Sequence, residues 1–275
     1  MSDTAGRMTM RDTGGLRLVR SILAGERPNL VRFASLAVTL AVWEWYGRSV
    51  DPVFMSYPSA IVAAVPALLS TGELQTAFLA SMHSLTIGLG LAIVLGTLTG
   101  LLMGRYRLVD QLLDIQISAL YSTPNVALIP VIILWFGLGL LSKIVIIFLA
   151  AFFPIIVNTY SGVRNISRGH VEVALAEGAS EAQIFTKIVV PASLPFITTG
   201  IRLAVGRAVV GMVVAEMFTA VVGLGGAIVA YGNAFATDKL FVVIILLAVL
   251  GVALTELIRF LERRLAPWKE TERAD

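Results

Sequence analysis

The sequence predicts an all-α membrane protein that crosses the bilayer six times and keeps both termini in the cytoplasm. First, 57% of the 275 residues are hydrophobic and only 14% are charged, whereas soluble domains carry about 25% charged residues. Second, the mean hydropathy is +0.86, and several uncharged runs reach the roughly 20 residues that a spanning helix requires. Third, the basic residues are unevenly divided between alternate loops. A large soluble protein with long core helices is the less favoured alternative.

The N-terminal segment, residues 1–29, is polar and mixes arginines with acids. No apolar core of the signal-peptide type follows these charges, and the acids argue against a transit peptide, so we expect a cytoplasmic tail. The first span is predicted at about residues 30–47. Only 33–43 is free of charge within it. Arg32 therefore has to extend its charged end to the membrane surface, and Trp43 has to lie at the opposite interface.

Residues 58–72 form a short apolar run that Pro66 interrupts, which favours an interfacial helix outside the membrane over a seventh span. The remaining spans are predicted at about residues 83–104, 117–137, 144–162, 196–221 and 240–260. The transmembrane domain therefore covers 30–265, and residues 266–275 form a second cytoplasmic tail. Glycines recur in the second span, at Gly88, Gly90, Gly96 and Gly100. Small residues at such spacings allow helices to approach closely.

The orientation follows from the positions of lysine and arginine. With the N-terminus inside, the inner segments hold 17 basic residues and the outer loops hold only Arg48, Lys143 and Lys239. Cytoplasmic loops of membrane proteins are enriched in basic residues. The division therefore favours cytoplasmic termini, and it supports the weak first span, because five spans would place one tail on the wrong side.

The longest inner loop, residues 168–191, is polar within a very apolar chain. Its first part, 170–177, is predicted to be a short helix with Val171, Ala174 and Leu175 on one face. Gly178 follows and is expected to end this helix in the left-handed conformation.

A second loop helix begins at Ser180, because Ser180 and Gln183 have the spacing of a capping box. We expect this helix to end at Pro191 and the fifth span to begin near Pro195. From these residues alone the loop has two interpretations: two short helices that dock on another protein, or a segment that lies on the lipid headgroups.

The loop resembles a known signature. Glu172-Val173-Ala174, three residues, Gly178, nine residues, and then Ile188-Val189-Val190-Pro191 resembles the loop of integral-membrane subunits of binding-protein-dependent ATP-binding-cassette importers. Val173 and Val190 stand where that pattern has Ala and Leu, and both remain apolar. The stretches PSAIVAAVPALLSTGEL and VVAEMFTAVVGLGGAI are similar to the branch that imports sulfonates, taurine, nitrate and related small organic anions.

The resemblance implies a permease, that is, the membrane-spanning subunit of an importer in the bacterial inner membrane. Two such subunits, either two copies or this chain and a related one, would form the pathway. A cytoplasmic ATPase dimer would bind the loop as a coupling element, and an extracytoplasmic binding protein would deliver the substrate. The loop residues that the resemblance assigns to the ATPase contact are Glu172, Ala174, Gly178, Ser180, Gln183, Ile188 and Pro191. The chain itself would need no cofactor, because the partner subunits bind ATP.

The chain has no nucleotide-binding loop of its own. The nearest sequence starts at Gly137 and has Ser142 where the second glycine of the Gly-x-x-x-x-Gly-Lys-Ser/Thr motif is required. We therefore expect the energy to come from a partner or from an ion gradient, and we expect the chain not to be an enzyme. With no cysteine, and with His83 and His170 far apart, no metal site is expected.

Two charges, Arg207 and Glu216, lie in the fifth span. A charge at the bilayer centre costs about 2.5–3.5 kcal/mol on insertion scales, so both should face protein or water. Nine positions on a helix is about 900°, so the two side chains point to opposite faces and should not pair. Arg207 either meets an anionic substrate or bridges to another span or subunit. Glu216 is expected to accept hydrogen bonds, and Asn125 and Asn158 are further candidates for the pathway.

Two other classes remain as alternatives. In a stand-alone ion-coupled carrier, an intramembrane acid such as Glu216 would be a proton or sodium site. An integral-membrane enzyme is disfavoured, because the sequence offers no paired carboxylates, histidine cluster or nucleophile–base motif.

Overall fold

The computed structural model describes residues 28–219 and 222–265, and this part of the chain consists of helices and short connections, without a strand. The predicted N-terminal tail (except residues 28 and 29) and the predicted C-terminal tail lie outside these residues. The helices are α1 (Pro28–Ser49), α2 (Pro58–Ser70), α3 (Glu73–Arg105), α4 (Arg107–Ser122), α5 (Asn125–Phe136), α6 (Leu140–Arg164), α7 (Arg168–Ala176), α8 (Glu181–Ile184), α9 (Val190–Thr219), α10 (Leu224–Asn233) and α11 (Thr237–Leu265).

Helix α6 is the centre of the molecule, with α3 and α9 packed along most of its length. Its residues Ile147, Ala151 and Ile155 are fully buried and belong to one cluster with Ala92 of α3 and Ala208 of α9. The small side chains of α3 and α9 bring both helices close to α6, and this closeness supplies the van der Waals contact that holds helices together in lipid.

The glycines of α3 show how close this approach is. A Cβ atom placed on Gly88 or Gly100 would lie 2.8 Å from Ile147 Cβ or 2.6 Å from Thr159 Cβ, respectively. Gly96 faces α6 in the same way, whereas nothing lies within 4 Å of a Cβ on Gly90. The predicted role in close packing therefore holds for three of the four glycines.

The remaining helices surround this centre. α11 packs against α9, α10 and α2, and a second cluster joins Leu68 of α2, Leu224 of α10 and Val243 of α11. α2 therefore buries its apolar face against protein. α1 is largely exposed and is fixed at its end by the Trp43 indole N–H, which donates to the Ser56 carbonyl at 2.9 Å.

Four helices are long and apolar enough to cross a membrane: α3, α6, α11 and the continuous stretch Glu181–Thr219. A fifth crossing is possible if α4 and α5 together form one span. Within the described residues, α1 reaches 22 residues but does not meet the same criterion of length and apolarity. The multi-pass, all-helical class is thus confirmed, whereas six spans and the orientation of the termini stay predictions.

The predicted span at 117–137 is not a single helix. α4 ends at Ser122, α5 begins at Asn125, and their axes are bent by 102°. Pro124 explains the break, because it has no N–H to donate and it disfavours the helical conformation of the residue before it. Thr123 is accordingly extended, with φ −76° and ψ 131°.

The expectation that the second loop helix ends at Pro191 is wrong. The backbone continues from Glu181 through a π-helical turn, Phe185–Val189, into α9 and past Pro195. The wider turn explains this continuity, because a π turn relaxes the i→i−4 bonding that a proline would otherwise break. The loop and the fifth predicted span therefore share one helix.

Candidate functional site

Gly178 ends helix α7 in the predicted left-handed conformation, with φ +77°. Its N–H donates to the Leu175 carbonyl at 3.0 Å, and the Ala179 N–H donates to the Ala174 carbonyl at 2.9 Å. These two bonds are the Schellman arrangement, in which the last carbonyls of a helix are satisfied by the residues that follow it. The turn at Gly178 thus sets the angle between the two halves of the loop.

The next helix begins with the predicted capping box. The Gln183 N–H donates to the Ser180 hydroxyl at 3.3 Å, and the Ser180 N–H donates to the Gln183 side-chain oxygen at 2.8 Å. Two of the free N–H donors at the start of this helix are therefore satisfied by local side chains.

One face of the loop is packed against the helix bundle. Ile184 and Val189 are buried with Leu101 of α3, Val163 of α6 and Ile197 of α9. Val171 and Ala174 pack against the same cluster as predicted. Leu175 was expected to share that face, but it is 53% exposed.

The opposite face of the loop is exposed and acidic. Glu172 and Glu177 are exposed there, together with the apolar side chains of Val173 and Leu175. Glu181 and Lys187 are exposed in the second half of the loop. Arg105, in the last turn of α3, forms an ion pair with Glu181. The loop is therefore held by an apolar face and an ion pair, and it presents a mixed acidic and apolar surface away from the bundle.

A cavity of about 430 Å³ lies where α4 breaks, between α5, α6 and α9. Of the predicted pathway residues, Arg207 and Asn125 line it, together with Tyr121. Ile146 and Val210 are among the side chains that form its apolar wall.

Arg207 makes a cation–π contact in this cavity. Its guanidinium carbon lies 5.9 Å from the centroid of the Tyr121 ring, within the range of such contacts. The Tyr121 ring in turn lies 6.2 Å from the ring of Phe153 on α6. Tyr121 was not singled out from the sequence, since only the bend at Pro124 brings the end of α4 against α9.

Glu216 lies elsewhere, in a fully buried cluster at the opposite end of α9 from the loop. Its carboxylate accepts the Ser81 hydroxyl at 2.8 Å and the Gly225 N–H at 2.9 Å. The Leu224 N–H donates to the same Ser81 hydroxyl at 2.8 Å. The expectation of a hydrogen-bond acceptor that does not pair with Arg207 is therefore confirmed, and the carboxylate holds the start of α10.

Lys143 stands next to this cluster and donates from Nζ to the Val222 carbonyl at 2.5 Å. Asn158, the remaining pathway candidate, donates its amide to the Pro154 carbonyl at 2.8 Å and does not line the cavity around Arg207. Among the described residues, no three histidines or acids are grouped as a metal site would require.

The chain matches the family described as the binding-protein-dependent transport system inner membrane component over residues 88–267. Three relatives match over most of their length. The putative aliphatic sulfonates transport permease protein SsuC of Bacillus subtilis is 35% identical over 86% of each chain. The formylaminopyrimidine transport permease protein ThiX of Halalkalibacterium halodurans is 34% identical over 85% of this chain and 93% of its own. The taurine transport system permease protein TauC of Escherichia coli is 31% identical over 85% and 88%.

The matched region contains the loop, the cavity around Arg207 and the Glu216 residue, so the features described above fall within the shared part of the chain. With this match, with relatives above 30% identity along most of the chain, and with several membrane-crossing helices, the protein belongs to the family of inner-membrane components of binding-protein-dependent transport systems, the permease subunits of ATP-binding-cassette importers.

Proposed function

We propose that this permease carries a small organic anion, such as an aliphatic sulfonate or taurine, into the cytoplasm across the bacterial inner membrane. The observation that carries the proposal is the loop at 168–191. Its backbone is fixed by the Gly178 turn and the Ser180 capping box, and its outward face is acidic and apolar. A surface of this kind suits a protein partner better than anionic lipid headgroups, which repel carboxylates.

The partner on that surface is a cytoplasmic ATPase dimer in this proposal. The seven coupling residues named above divide into two groups in the structure. The exposed group is Glu172, Gly178, Ser180 and Gln183, and the half-buried group is Ala174, Ile188 and Pro191. The exposed group would contact the ATPase, and the half-buried group would pass its displacement to the bundle. The chain itself would catalyse no reaction, and ATP would be bound by the partner subunits.

The proposal places the loop and both termini in the cytoplasm and counts α1 as a sixth span. The exposed apolar side chains of α1, among them Phe33 at 72% and Trp45 at 75%, support this count, because lipid or a second permease subunit would cover them. A binding protein would then dock at the end of the bundle that carries Glu216 and α10.

The substrate class rests on charge. The relatives named above differ in their substrates, since ThiX is named for a formylaminopyrimidine and SsuC for sulfonates at nearly the same identity. Arg207 gives the cavity a positive charge with no acid among the lining residues, which favours an anion.

Family membership argues against the stand-alone ion-coupled carrier. The surroundings of Glu216 agree with this, because its carboxylate already accepts hydrogen bonds from Ser81 and from the backbone N–H of Gly225. A proton or sodium site would need an accessible carboxylate, and Glu216 is 0% exposed.

The test is purification of the tagged, full-length chain from the membranes of its native host. We expect an ATPase to co-purify and its hydrolysis rate to rise when binding protein loaded with ethanesulfonate or taurine is added to the complex in lipid. Uptake that follows an ion gradient without any ATPase would overturn the proposal.

A further inference from the structure

We propose that the cavity around Arg207 is an anion-binding site within the permease itself, which takes a short aliphatic sulfonate in transit, with Arg207 as the binding charge and Tyr121 as its positioning residue. This inference rests on the proposed function, because it gives the substrate a binding site in the permease on its way from the binding protein to the cytoplasm.

The first step in the argument is the charge of Arg207. The side chain lies near the middle of an apolar helix of 30 residues, where a cation is costly unless protein, water or a ligand compensates it. Arg207 makes no ion pair with any residue between 28 and 219 or between 222 and 265, and its guanidinium instead contacts the Tyr121 ring. By contrast, Arg202 on the same helix pairs with Glu262. The Arg207 side chain is exposed, so its charge is compensated by water or by an anion that the described residues do not supply.

The second step is the position of Tyr121. A tyrosine ring attracts a guanidinium through its face without neutralising it. Tyr121 is itself supported by Phe153, so the guanidinium is held at one wall of the cavity while its donors stay available. Five N–H donors in a planar fork suit the oxygens of an oxyanion.

The third step is the remaining lining of the cavity. Asn125 lines the same cavity, and its side-chain oxygen is buried without a hydrogen-bond partner; as an acceptor it can receive a donor such as the ammonium group of taurine, but not a sulfonate oxygen. Ile129, Ile146 and Val214 form an apolar wall. A ligand with one anionic end and a short hydrocarbon chain satisfies both sides, and a cavity of about 430 Å³ holds a molecule of that size.

The absence of cysteine from the chain permits a direct test. A single Val210→Cys variant places a thiol in the cavity, one helical turn from Arg207, where Val210 is 62% exposed. The thiol is labelled in the lipid-reconstituted full-length permease with two reagents of opposite charge, 2-sulfonatoethyl and 2-trimethylammonioethyl methanethiosulfonate. Phe218→Cys is the matched control, because Phe218 is 52% exposed on the same helix, lies 11 positions or about 16 Å along the axis from Arg207, and does not line the cavity.

We expect the sulfonate reagent to label Val210→Cys about tenfold faster than the cationic reagent, after both rates are divided by those at Phe218→Cys. A unit charge at contact distance changes the local concentration of a charged reagent by this order. Ethanesulfonate should slow the labelling, and added Arg207→Gln should remove both effects. Val214→Cys, also in the cavity wall, gives the same measurement if Val210→Cys does not assemble.

Three results would overturn the inference: no charge preference, an unchanged preference after Arg207→Gln, or no labelling at either cavity position. The second subunit offers the main competing explanation, because a carboxylate on it would neutralise Arg207 and abolish the preference. The readout needs neither ATP nor transport. An ATPase stimulation that survives while charge selectivity is absent would therefore reject this site and leave the proposed function standing.

The positioning role is tested separately. Tyr121→Phe keeps the ring face and should keep the preference for the sulfonate reagent, whereas Tyr121→Leu should reduce it severalfold. Arg164→Gln is the matched control, because Arg164 lies 6.0 Å from the Tyr160 ring, outside the cavity. Equal labelling by the Phe and Leu variants at Tyr121 would contradict the role of the ring.

Discussion

Gly178 is the residue on which the loop geometry depends most directly. Its φ of +77° is costly for any side chain, by about 1–2 kcal/mol, although nothing lies within 4 Å of a Cβ placed there. Gly178→Val should therefore leave the helices inserted but lose the ATPase on purification, or keep it and lose stimulation by loaded binding protein. Gly178→Asn is the control, because asparagine tolerates the left-handed region. Full binding and stimulation by Gly178→Val would show that the loop is not the coupling element.

Glu216 has a different, purely local importance. A glutamine at this position has only one acceptor oxygen, so its NH2 group would face either the Gly225 N–H or the Ser81 hydroxyl, which both donate to the carboxylate. A buried donor left without an acceptor costs about 1–3 kcal/mol. We expect Glu216→Gln to lower the melting temperature of the purified permease. The control is Glu177→Gln, since Glu177 is exposed. An unchanged melting temperature would mean that the carboxylate does not hold the start of α10.

Local chemistry explains which residues could be predicted from the sequence. The Gly178 turn and the Ser180–Gln183 box obey rules that act over four or five neighbouring residues, so their geometry was accessible without a structure. Ser81 and Tyr121 were not, because their partners are 135 and 86 positions away. No pattern along a single helix records a contact of that kind.

At the level of elements, the packing of α3 on α6 permits a matched comparison. Gly100→Ala places a Cβ 2.6 Å from Thr159 Cβ and 2.9 Å from the Ile156 carbonyl oxygen. Part of this contact is backbone, so the helices must separate, and such overpacking costs about 1–3 kcal/mol. Gly90→Ala adds the same atom to the same helix in open space. We expect only the Gly100 variant to lose thermal stability, and equal stability of the two variants would refute the close-packing role.

The same level shows where the prediction from sequence failed. Apolar length alone gave 117–137 as one span, yet Pro124 turns the chain by 102° there. Pro191 was expected to end the loop helix and Pro195 to begin the fifth span, yet one helix runs through both. A π turn precedes Pro191 and relaxes the bonding pattern there, whereas no such turn precedes Pro124. Pro195 lies inside the helix without a π turn, so this widening is one way past a proline and not a requirement. Whether a turn widens in this way depends on the surrounding packing.

At the level of the whole molecule, the proposed topology makes a labelling prediction. In intact cells, Lys239→Cys should react with a membrane-impermeant reagent from outside, whereas Glu177→Cys should react only after the membrane is opened. The two positions lie at opposite ends of the proposed spans, and the cysteine-free chain gives no background. Tags at Ser2 and Asp275 should likewise be reached only from the cytoplasm. Labelling of either terminus from outside would exclude six spans.

The overall class was predictable because composition and hydropathy average over the whole chain. The arrangement around α6 was not, since it depends on which glycine faces which isoleucine. The first predicted span shows where prediction from the sequence ends. The distribution of charge predicts that this span crosses the membrane, but α1 is not among the four helices that are long and apolar enough to do so.

The helical stretch Glu181–Thr219 has 39 residues, or about 58 Å at 1.5 Å per residue. It joins the ion pair with Arg105 to the carboxylate that holds α10. Suppose that the ATPase binds at one end and the binding protein at the other. The factor by which bound ATPase changes the affinity for the binding protein must then equal the factor by which bound binding protein changes the affinity for the ATPase. Such a relay is symmetric and favours neither import nor export. The direction of transport would then arise outside this chain, from the irreversibility of ATP hydrolysis.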